Sequence, residues 1–535
     1  MHTLPDVIRT GSDPSPACTA AIPRSPRGVG VAMAVVLALL AALVVPATVA
    51  PATARSVGEG SVVDGLSLDA EATRLADELG APGISVAVVD STGVVGRAHH
   101  GVDGDGAPVG EGTAFVWGSV SKSFAALVVS VLDASGTLSA SDAVASVLPA
   151  LRGGELDTTG VTIADLVHHV SGLPHQVELT DVWGRTGPAS EVVPEIADVA
   201  GVGPRGTYRY SSLNYLLLQA VVETATQRPY GDVLHEVLAS TSGVTDVVTD
   251  PGRFAEDVPP GHAPYFFGER PVDVGFDPAG LAYGYLSGPT DSLARYAAWQ
   301  LGDLRSTSPE SVERREGAVE TGTGARYGGG LIIEGRTDGD DEVTVVRHSG
   351  AVPGYFTYLA LSPERDVGVV LVANSYGELR SGESAGAAEA FADRIMGLPP
   401  GAHPGSGFYT GVIVGGIVLV LLLVALLGWV VIGLVRRSPP RRTTRGTLTR
   451  VLLVTLVGAA LLAGGLLGVP AVVGVPFGVA ALWAPDVALL FWLTMGLVFL
   501  VTAVTIAREI AWNHRGAVGG QRQPSSPRRR ASSSR

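Results

Sequence analysis

The chain has 535 residues and a formal net charge of −14, with 46% hydrophobic and only 16% charged residues. Globular domains usually carry about 25% charged residues, so this composition excludes a disordered acidic protein and indicates lipid-facing segments. The single cysteine, Cys18, excludes a disulfide scaffold, a cysteine-based zinc site and a thiol redox pair. A nucleic-acid-binding domain would be basic, so we expect no nucleic-acid partner.

The first 54 residues have the pattern of an export signal. Arg24 and Arg27 precede an apolar run over 28–45, and Ala52-Thr53-Ala54 supplies the small residues of a cleavage site. The run approaches the ~20 residues that span a membrane. Residues 1–54 are therefore predicted to be either a cleaved signal peptide or an N-terminal membrane anchor, and in both cases the domain after residue 54 is exported.

Residues 63–398 are predicted to form one α+β domain. A helix over 69–79 is followed by a hairpin with strands at 84–89 and 94–100. The other predicted helices cover 124–133, 163–170, 213–226 and 292–301, and the final strands cover 329–334, 343–348, 355–361 and 367–373. Strands at both ends of a domain indicate one antiparallel sheet joined from both termini, flanked by helices and carrying a helical subdomain.

The most informative motif is Ser119-Val-Ser-Lys122, at the start of an apolar helix. Positions three apart share a helix face, so the hydroxyl and the amine can meet. Lys122 is the only lysine among the 37 basic residues, and a buried lysine, unlike an arginine, can lose its proton near neutral pH. We therefore expect Ser119 to be a nucleophile and Lys122 its base, because an active serine needs a base within hydrogen-bond reach.

Two later motifs complete the pattern. Tyr210-Ser-Ser212 stands just ahead of a helix, and His348-Ser349-Gly350 is predicted to end one strand and begin the turn to the next. The order Ser-x-x-Lys, Tyr-x-Ser and His-x-Gly within one domain is far more specific than any of the three motifs alone.

A short Pro/Gly linker at 399–407 is predicted to separate this domain from three transmembrane helices within 408–507. The predicted spans are 408–435, 451–472 and 487–507. Arginines are concentrated between the first two spans and after the third, and the segment 470–485 has none. By the positive-inside rule, the arginine-rich loop and the tail 508–535 are cytoplasmic and the α+β domain is extracytoplasmic. These arginines are Arg436, Arg437, Arg441, Arg442, Arg445, Arg450, Arg508, Arg515, Arg522, Arg528, Arg529, Arg530 and Arg535.

In these motifs the sequence resembles the serine β-lactamase and penicillin-binding protein superfamily, most closely the class C β-lactamases and their peptidase and esterase relatives. The segment from Val161 to Pro174 is similar to that family's "LLTHTSGLP" segment, and the stretches 353–355 and 373–375 add to the likeness. The resemblance implies a β-lactamase/transpeptidase-like fold followed by the three membrane helices.

The resemblance also implies roles for individual residues. Ser119 would form an acyl-enzyme, Lys122 would take its proton and Tyr210 would pass protons to the leaving group and to water. The backbone N–H groups of Ser119 and Ala351 would form the oxyanion hole. His348 stands where β-lactamases have a lysine, and would support the substrate carboxylate or the proton network with pH dependence. Residues expected to contact substrate are Ser212, Ser349 and Gly350.

Two departures from the family pattern bear on specificity. Ser212 replaces the usual asparagine of the second motif, and His-x-Gly replaces Lys-Thr-Gly, as it does among the peptidases and esterases of this family. The shorter hydroxyl of Ser212 puts a preference for amides and β-lactams in doubt, and the His-x-Gly motif points away from an efficient β-lactamase.

We therefore expect a membrane-tethered, extracytoplasmic serine hydrolase acting as a D-Ala peptide carboxypeptidase, D-aminopeptidase, esterase or β-lactam hydrolase. Its partners would be a small molecule or a peptidoglycan peptide, together with membrane lipid, and no cofactor or metal is expected. One alternative is a penicillin or peptidoglycan sensor that acylates or binds without turnover, and another is an inactive binding domain.

Overall fold

The computed structural model describes residues 62–63, 66–156, 158–175, 178–199, 201, 203–306, 317–401, 407–435, 443–470 and 476–520. All of them belong to the unit Pro46–Arg535. The predicted leader 1–54, Cys18, the loop arginines 436, 437, 441 and 442 and the tail arginines from Arg522 onward lie outside the described residues.

An eight-stranded antiparallel sheet forms the centre of the α+β domain, in the order β4-β3-β14-β13-β12-β11-β10-β9. The first hairpin and the last strand meet as predicted, with Val88 opposite Val369. Both strands are rich in valine and buried over all but one residue, as expected when a strand is covered on both faces. The sheet strands are β3 Gly83–Asp90, β4 Gly93–Gly101, β9 Val319–Glu320, β10 Arg326–Gly328, β11 Leu331–Asp338, β12 Asp341–Val352, β13 Tyr355–Ser362 and β14 Val367–Ala373.

Short strand pairs lie outside this sheet. They are β1 Val62–Val63 with β2 Leu66–Ser67, β5 Ala114–Val116 with β8 Ser287–Pro289, and β6 Gly261–Tyr265 with β7 Gly268–Val272.

Helices cover both faces of the sheet. One face packs on the first and last helices of the domain, α1 and α10, whose apolar residues share a core with the strands. The other face packs on α2, α6, α7 and α9, which form the larger core and the helical subdomain. The helices are α1 Leu68–Leu79, α2 Ser121–Ala134, α3 Val144–Val147, α4 Ile163–Val167, α5 Val193–Ala197, α6 Ser212–Thr226, α7 Tyr230–Ser240, α8 Pro251–Asp257, α9 Thr290–Ser306 and α10 Ser381–Met396.

Three further helices are long and apolar enough to cross a membrane: Phe408–Val435, Thr444–Gly468 and Pro485–Arg515, with mean hydropathies of 3.2, 2.3 and 2.5. The first has the predicted bounds. The second begins earlier than predicted and the third extends beyond Ala507, because the polar flanking residues continue the helix. The corresponding elements are α11 Phe408–Val435, α12 Thr444–Ala463 followed by a π-helical turn Gly464–Gly468, α13 Phe477–Trp483 and α14 Pro485–Gly520.

Two predictions of local structure are corrected. Strand β12 does not end at His348 but runs through Val352, because its backbone pairing with β13 continues to Val352 opposite Tyr355. The prediction of a turn at Ser349-Gly350 was therefore wrong, and the turn is Pro353-Gly354. Helix α4 ends at Val167 rather than Val170, because His169 adopts a positive φ of 56°, which breaks a right-handed helix.

Candidate active site

Ser119 lies in a single 3₁₀ turn, Gly118–Val120, that leads directly into α2. It stands just before the α-helix rather than inside its first turn. Lys122 lies in the first turn of α2 with none of its surface exposed, and its Nζ is 3.0 Å from Ser119 Oγ. The spacing of three residues thus brings the amine and the hydroxyl together, as the sequence predicts.

Burial changes the acid–base behaviour of Lys122. Loss of water around the ammonium lowers the pKa of Lys122 to about 7, and the nearby negative charge of Asp181 opposes part of this shift. Its Nζ donates to the backbone oxygen of Tyr283 at 2.8 Å and to Ser212 Oγ at 3.4 Å. A substantial fraction of the amine is therefore neutral near pH 7 and can accept the proton of Ser119.

Tyr210 contacts the same hydroxyl from the other side. Its OH donates to Ser119 Oγ at 2.7 Å, and burial raises the pKa of the Tyr210 phenol above its usual range. The phenol therefore remains protonated and can donate a proton. Ser119 Oγ thus lies between an amine that can accept a proton and a phenol that can supply one.

His169 holds the backbone that follows Tyr210. Its Nδ1 accepts from Ser211 N–H at 3.3 Å and from the Asn214 side-chain amide at 3.0 Å. Its ring lies 4.6 Å from the Tyr210 ring, centroid to centroid. Since Nδ1 accepts two hydrogen bonds, the proton of the neutral imidazole is on Nε2. This buried histidine is a positioning residue.

Two glycines allow the backbone of β12 to lie directly against the turn that carries Ser119. A Cβ added to Gly118, whose φ is +54°, would stand 2.3 Å from Ala351 N, and one added to Gly350 would stand 2.0 Å from Trp117 O. Real Cβ atoms do not approach so closely, so both positions require glycine. This close approach brings the backbones of Ser119 and Ala351 together at one cavity, where both residues line the wall.

The remaining predicted site residues differ in whether they line the cavity. Ser212 lines the cavity, but Ser349 and Gly350 are not among its described lining residues, and Gly350 acts through its contact with Trp117. His348 is buried behind Tyr210, with ring centroids 6.1 Å apart. Its Nδ1 donates to the backbone oxygen of Ser349 at 2.5 Å.

The expected pH dependence at His348 is corrected by these surroundings. Burial, together with the positive charge of Lys122, lowers the pKa of His348 to about 3. The imidazole is therefore neutral at physiological pH and carries no charge to offer a substrate carboxylate.

Sequence reasoning missed Asp181, which lines the same cavity. Burial raises the pKa of its carboxyl to about 6, while the hydrogen bond from Tyr285 acts in the opposite direction. That hydrogen bond runs from Tyr285 OH to Asp181 Oδ1 at 2.8 Å. Asp181 stands in an irregular loop with no motif around it, so only the folded structure reveals its place near Lys122.

The cavity beside Ser119 has a volume of about 550 Å³, which is in the range of ligand-binding pockets. Ser119, Tyr210, Ser212 and Ala351 form one part of its wall. A buried amine, a phenol and two backbone segments thus surround one partly exposed hydroxyl at the cavity, an arrangement suited to attack on a carbonyl.

Comparison with known proteins decides the family. Residues 68–394, more than half of the chain, match the Beta-lactamase family. The chain belongs to the Beta-lactamase family. Members of this family with this fold are serine hydrolases.

Relatives at the sequence level are distant. Penicillin-binding protein 4 of Amycolatopsis lactamdurans is 28% identical over 304 residues, covering 51% of this chain and 74% of that protein. The unguisins hydrolase ungD′ of Aspergillus campestris is 26% identical over 326 residues, covering 55% of this chain and 58% of that protein. The chain thus spans little more than half the length of the latter.

Solved structures share the fold of the α+β domain, called the β-lactamase-type domain after its family match over residues 68–394. The octameric penicillin-binding protein homologue from Pyrococcus abyssi aligns with a TM-score of 0.53 at 24% identity, over 62% of this chain and 77% of that one. A class C β-lactamase aligns with a TM-score of 0.51 at 20% identity, over 63% of this chain and 96% of that one. Together they confirm the predicted β-lactamase/transpeptidase-like fold.

Acylation of Ser119 is expected to increase with pH through about 7, the pKa of Lys122, because only the free amine accepts a proton. The check is kcat/KM for a p-nitrophenyl ester across neutral pH. Asp181→Asn removes the charge that raises the pKa of Lys122, so it should move the inflection of the pH profile to lower pH.

The Lys122→Arg variant should have a kcat/KM about 10²–10⁴-fold lower than that of the wild type, since guanidinium does not deprotonate. A flat profile, or an active arginine variant, would contradict this role.

Replacing the phenol of Tyr210 separates proton donation from nucleophilic attack. Tyr210→Phe should lower kcat/KM for an alkyl ester by about 10²–10³-fold, and less for a p-nitrophenyl ester, whose leaving group needs no proton. Tyr208→Phe is the matched control, because its ring packs near His169 and Tyr327, whereas the described hydrogen bonds to Ser119 Oγ come from Lys122 and Tyr210. Equal losses for both esters would rule out Tyr210 as the proton donor.

Proposed function

We propose that the chain is a membrane-anchored, extracytoplasmic serine hydrolase that works through an acyl-enzyme on Ser119. The observation that carries this proposal is the contact of Ser119 Oγ with both a buried amine and a phenol, at 3.0 and 2.7 Å. The distant relatives include a penicillin-binding protein and a hydrolase, which agrees with acyl transfer as the reaction class.

The proposed first step is acylation. Ser119 Oγ forms a bond to the substrate carbonyl carbon while its proton passes to Lys122 Nζ, and the developing oxyanion accepts hydrogen bonds from the N–H groups of Ser119 and Ala351. The bond to the leaving group then breaks, and the leaving oxygen or nitrogen takes a proton through Tyr210, which regains one from Lys122.

Deacylation is the same sequence with water as the nucleophile. Water adds to the acyl-enzyme carbonyl as its proton passes to the Tyr210–Lys122 pair. The bond to Ser119 Oγ then breaks and the serine recovers its proton. The net result is hydrolysis of one ester or amide bond, with no redox change and no further reactant.

The position of the arginines supports the extracytoplasmic orientation. The β-lactamase-type domain contacts the beginning of the first and third membrane helices through Tyr409 and Asp486. Arg445 lies at the beginning of the second helix and Arg515 at the end of the third, which are the opposite ends of these spans. By the positive-inside rule the arginine-rich ends face the cytoplasm, so the domain faces outward.

A membrane-impermeant fluorophosphonate probe tests the nucleophile and the orientation together. We expect it to label the wild-type chain in intact cells and to leave Ser119→Ala unlabelled. Equal labelling of both chains would exclude Ser119 as the nucleophile. Labelling only after permeabilisation would leave the hydrolase in place and reverse the orientation.

Turnover separates the hydrolase from the sensor. The purified full chain should release many equivalents of p-nitrophenol from p-nitrophenyl acetate. A single stoichiometric burst with no further turnover would favour the alternative of a penicillin or peptidoglycan sensor.

A further inference from the structure

The cavity beside Ser119 continues from the β-lactamase-type domain onto the helices of the membrane region. About half of its wall comes from residues between 412 and 491, and every one of these is apolar. They include Phe477, Ala480 and Trp483 of α13, and Val487 and Phe491 of the first turns of α14. A site for a small polar peptide would not need this second, wholly apolar part.

A buried carboxylate holds the two parts of the wall together. Asp486, at the beginning of α14, is 1% exposed and accepts hydrogen bonds from Phe266 N–H at 2.9 Å and from Tyr409 OH at 2.5 Å. Phe266 is at the tip of the β6–β7 hairpin of the β-lactamase-type domain, and Tyr409 is at the beginning of α11. Trp483 adds an edge-on ring contact to Tyr376, with centroids 5.8 Å apart. The apolar wall is thus fixed to the β-lactamase-type domain.

The cavity lies beside the beginnings of the first and third apolar helices, which is where a membrane surface would lie if these helices span it. Its lining residue Val412 is in the first turns of α11, and Val487 is in the first turn of α14. Next to this junction, Phe267 at the hairpin tip is 64% exposed, as suits a side chain that faces lipid. An amphiphile in the outer leaflet would therefore have its polar head near Ser119 and its chain beside these helices.

The charges in the wall disfavour an anionic substrate. Its carboxylates belong to Asp181 and Glu378, and among the described lining residues there is no arginine or lysine. Nor does the neutral His348 offer a positive charge. A carboxylate beside the scissile bond, as in a D-Ala peptide or a β-lactam, would meet these two acids. The nearby amine of Lys122 is fully buried and already hydrogen-bonded to Ser119, Ser212 and Tyr283.

We propose that the substrate is a membrane amphiphile without a carboxylate beside the scissile bond, whose ester or amide carbonyl reaches Ser119 while its hydrocarbon chain lies against Phe477–Trp483 and the beginning of α14. This inference rests on the proposed hydrolase function and names its substrate class.

Chain length tests the apolar wall. With the full chain in detergent, kcat/KM should be higher for p-nitrophenyl octanoate than for p-nitrophenyl acetate, or for octyl acetate than for ethyl acetate. An increase of about 60-fold is expected if half of the six additional methylenes leave water, because each methylene that does so contributes about fourfold. If both series are flat while acetate hydrolysis depends on Ser119, the lipid inference fails and the hydrolase function stands. If no ester is hydrolysed through Ser119, the proposed function itself fails.

Two neighbouring alanines on α13 provide the matched variants. Ala480 lines the cavity, whereas Ala481 is exposed and outside the wall. Ala480→Trp should fill the cavity and lower the octanoate-to-acetate ratio at least about tenfold, and Ala481→Trp should keep it. Equal ratios for the two variants would overturn the assignment, since a general effect of ester hydrophobicity would not distinguish them.

The source of the substrate is tested in vesicles of phosphatidylcholine. The reconstituted full chain should hydrolyse p-nitrophenyl stearate faster when the ester is in the same vesicles than when it is in separate ones. Equal rates would show that substrate enters from water and would overturn the membrane source. A carboxyphenyl octanoate should react more slowly than the uncharged phenyl ester, and an equal or faster reaction would contradict the charge argument.

Discussion

The burial of one ammonium group is the constraint on which the candidate site depends. Lys122 is fully buried, and removing a charged amine from water is costly unless the group is neutralised or hydrogen-bonded. The fold meets both conditions in part. The Tyr283 carbonyl and the Ser119 and Ser212 hydroxyls accept hydrogen bonds from the amine. Burial also lowers the pKa of Lys122 to about 7, so that part of the amine is neutral at physiological pH. The same feature that destabilises the charged form makes the amine a base.

The rest of the domain holds this amine in place. Behind it, Trp117, Phe124 and Tyr296 stack in the core, with the Phe124 and Tyr296 rings 3.8 Å apart. In front of it, strand β11 begins so close to α2 that a Cβ on Gly330 would stand 2.5 Å from the backbone oxygen of Lys122. Helix α2 therefore cannot shift to expose the lysine to water without moving the central sheet, and the low pKa is a property of the whole fold.

Local patterns in the sequence predicted much of this architecture. The buried strand 367–373 and the first long apolar helix 408–435 were predicted with the observed bounds. The first is a short run rich in valine, which is typical of a buried strand, whereas the second is an uncharged run of 28 residues, which is too long for a strand. Ser119, Lys122 and Tyr210 were predicted as partners and do converge. The continuation of β12 beyond His348 was not predicted, since Ser349-Gly350 is locally typical of a turn and only pairing with β13 keeps it extended. Asp181 and helix α13 were missed because their importance arises from contacts between distant segments.

The apolar helices that follow the α+β domain also help to form its site. Asp486 and Tyr409 fix the beginning of two spans to the hairpin tip at Phe266, so the apolar helices complete the wall of the cavity that contains Ser119. This polar cluster thus links the attachment of the apolar helices to the shape of the site.

Because Lys122 is the only lysine in the chain, labelling with ¹³C-lysine gives one side-chain NMR signal for direct titration in the detergent-solubilised full chain. The account predicts that the ε-carbon shift of this signal titrates near 7, and that Ser119→Ala retains the low value. A signal that stays that of an ammonium up to the ordinary lysine pKa of about 10.4 would contradict it.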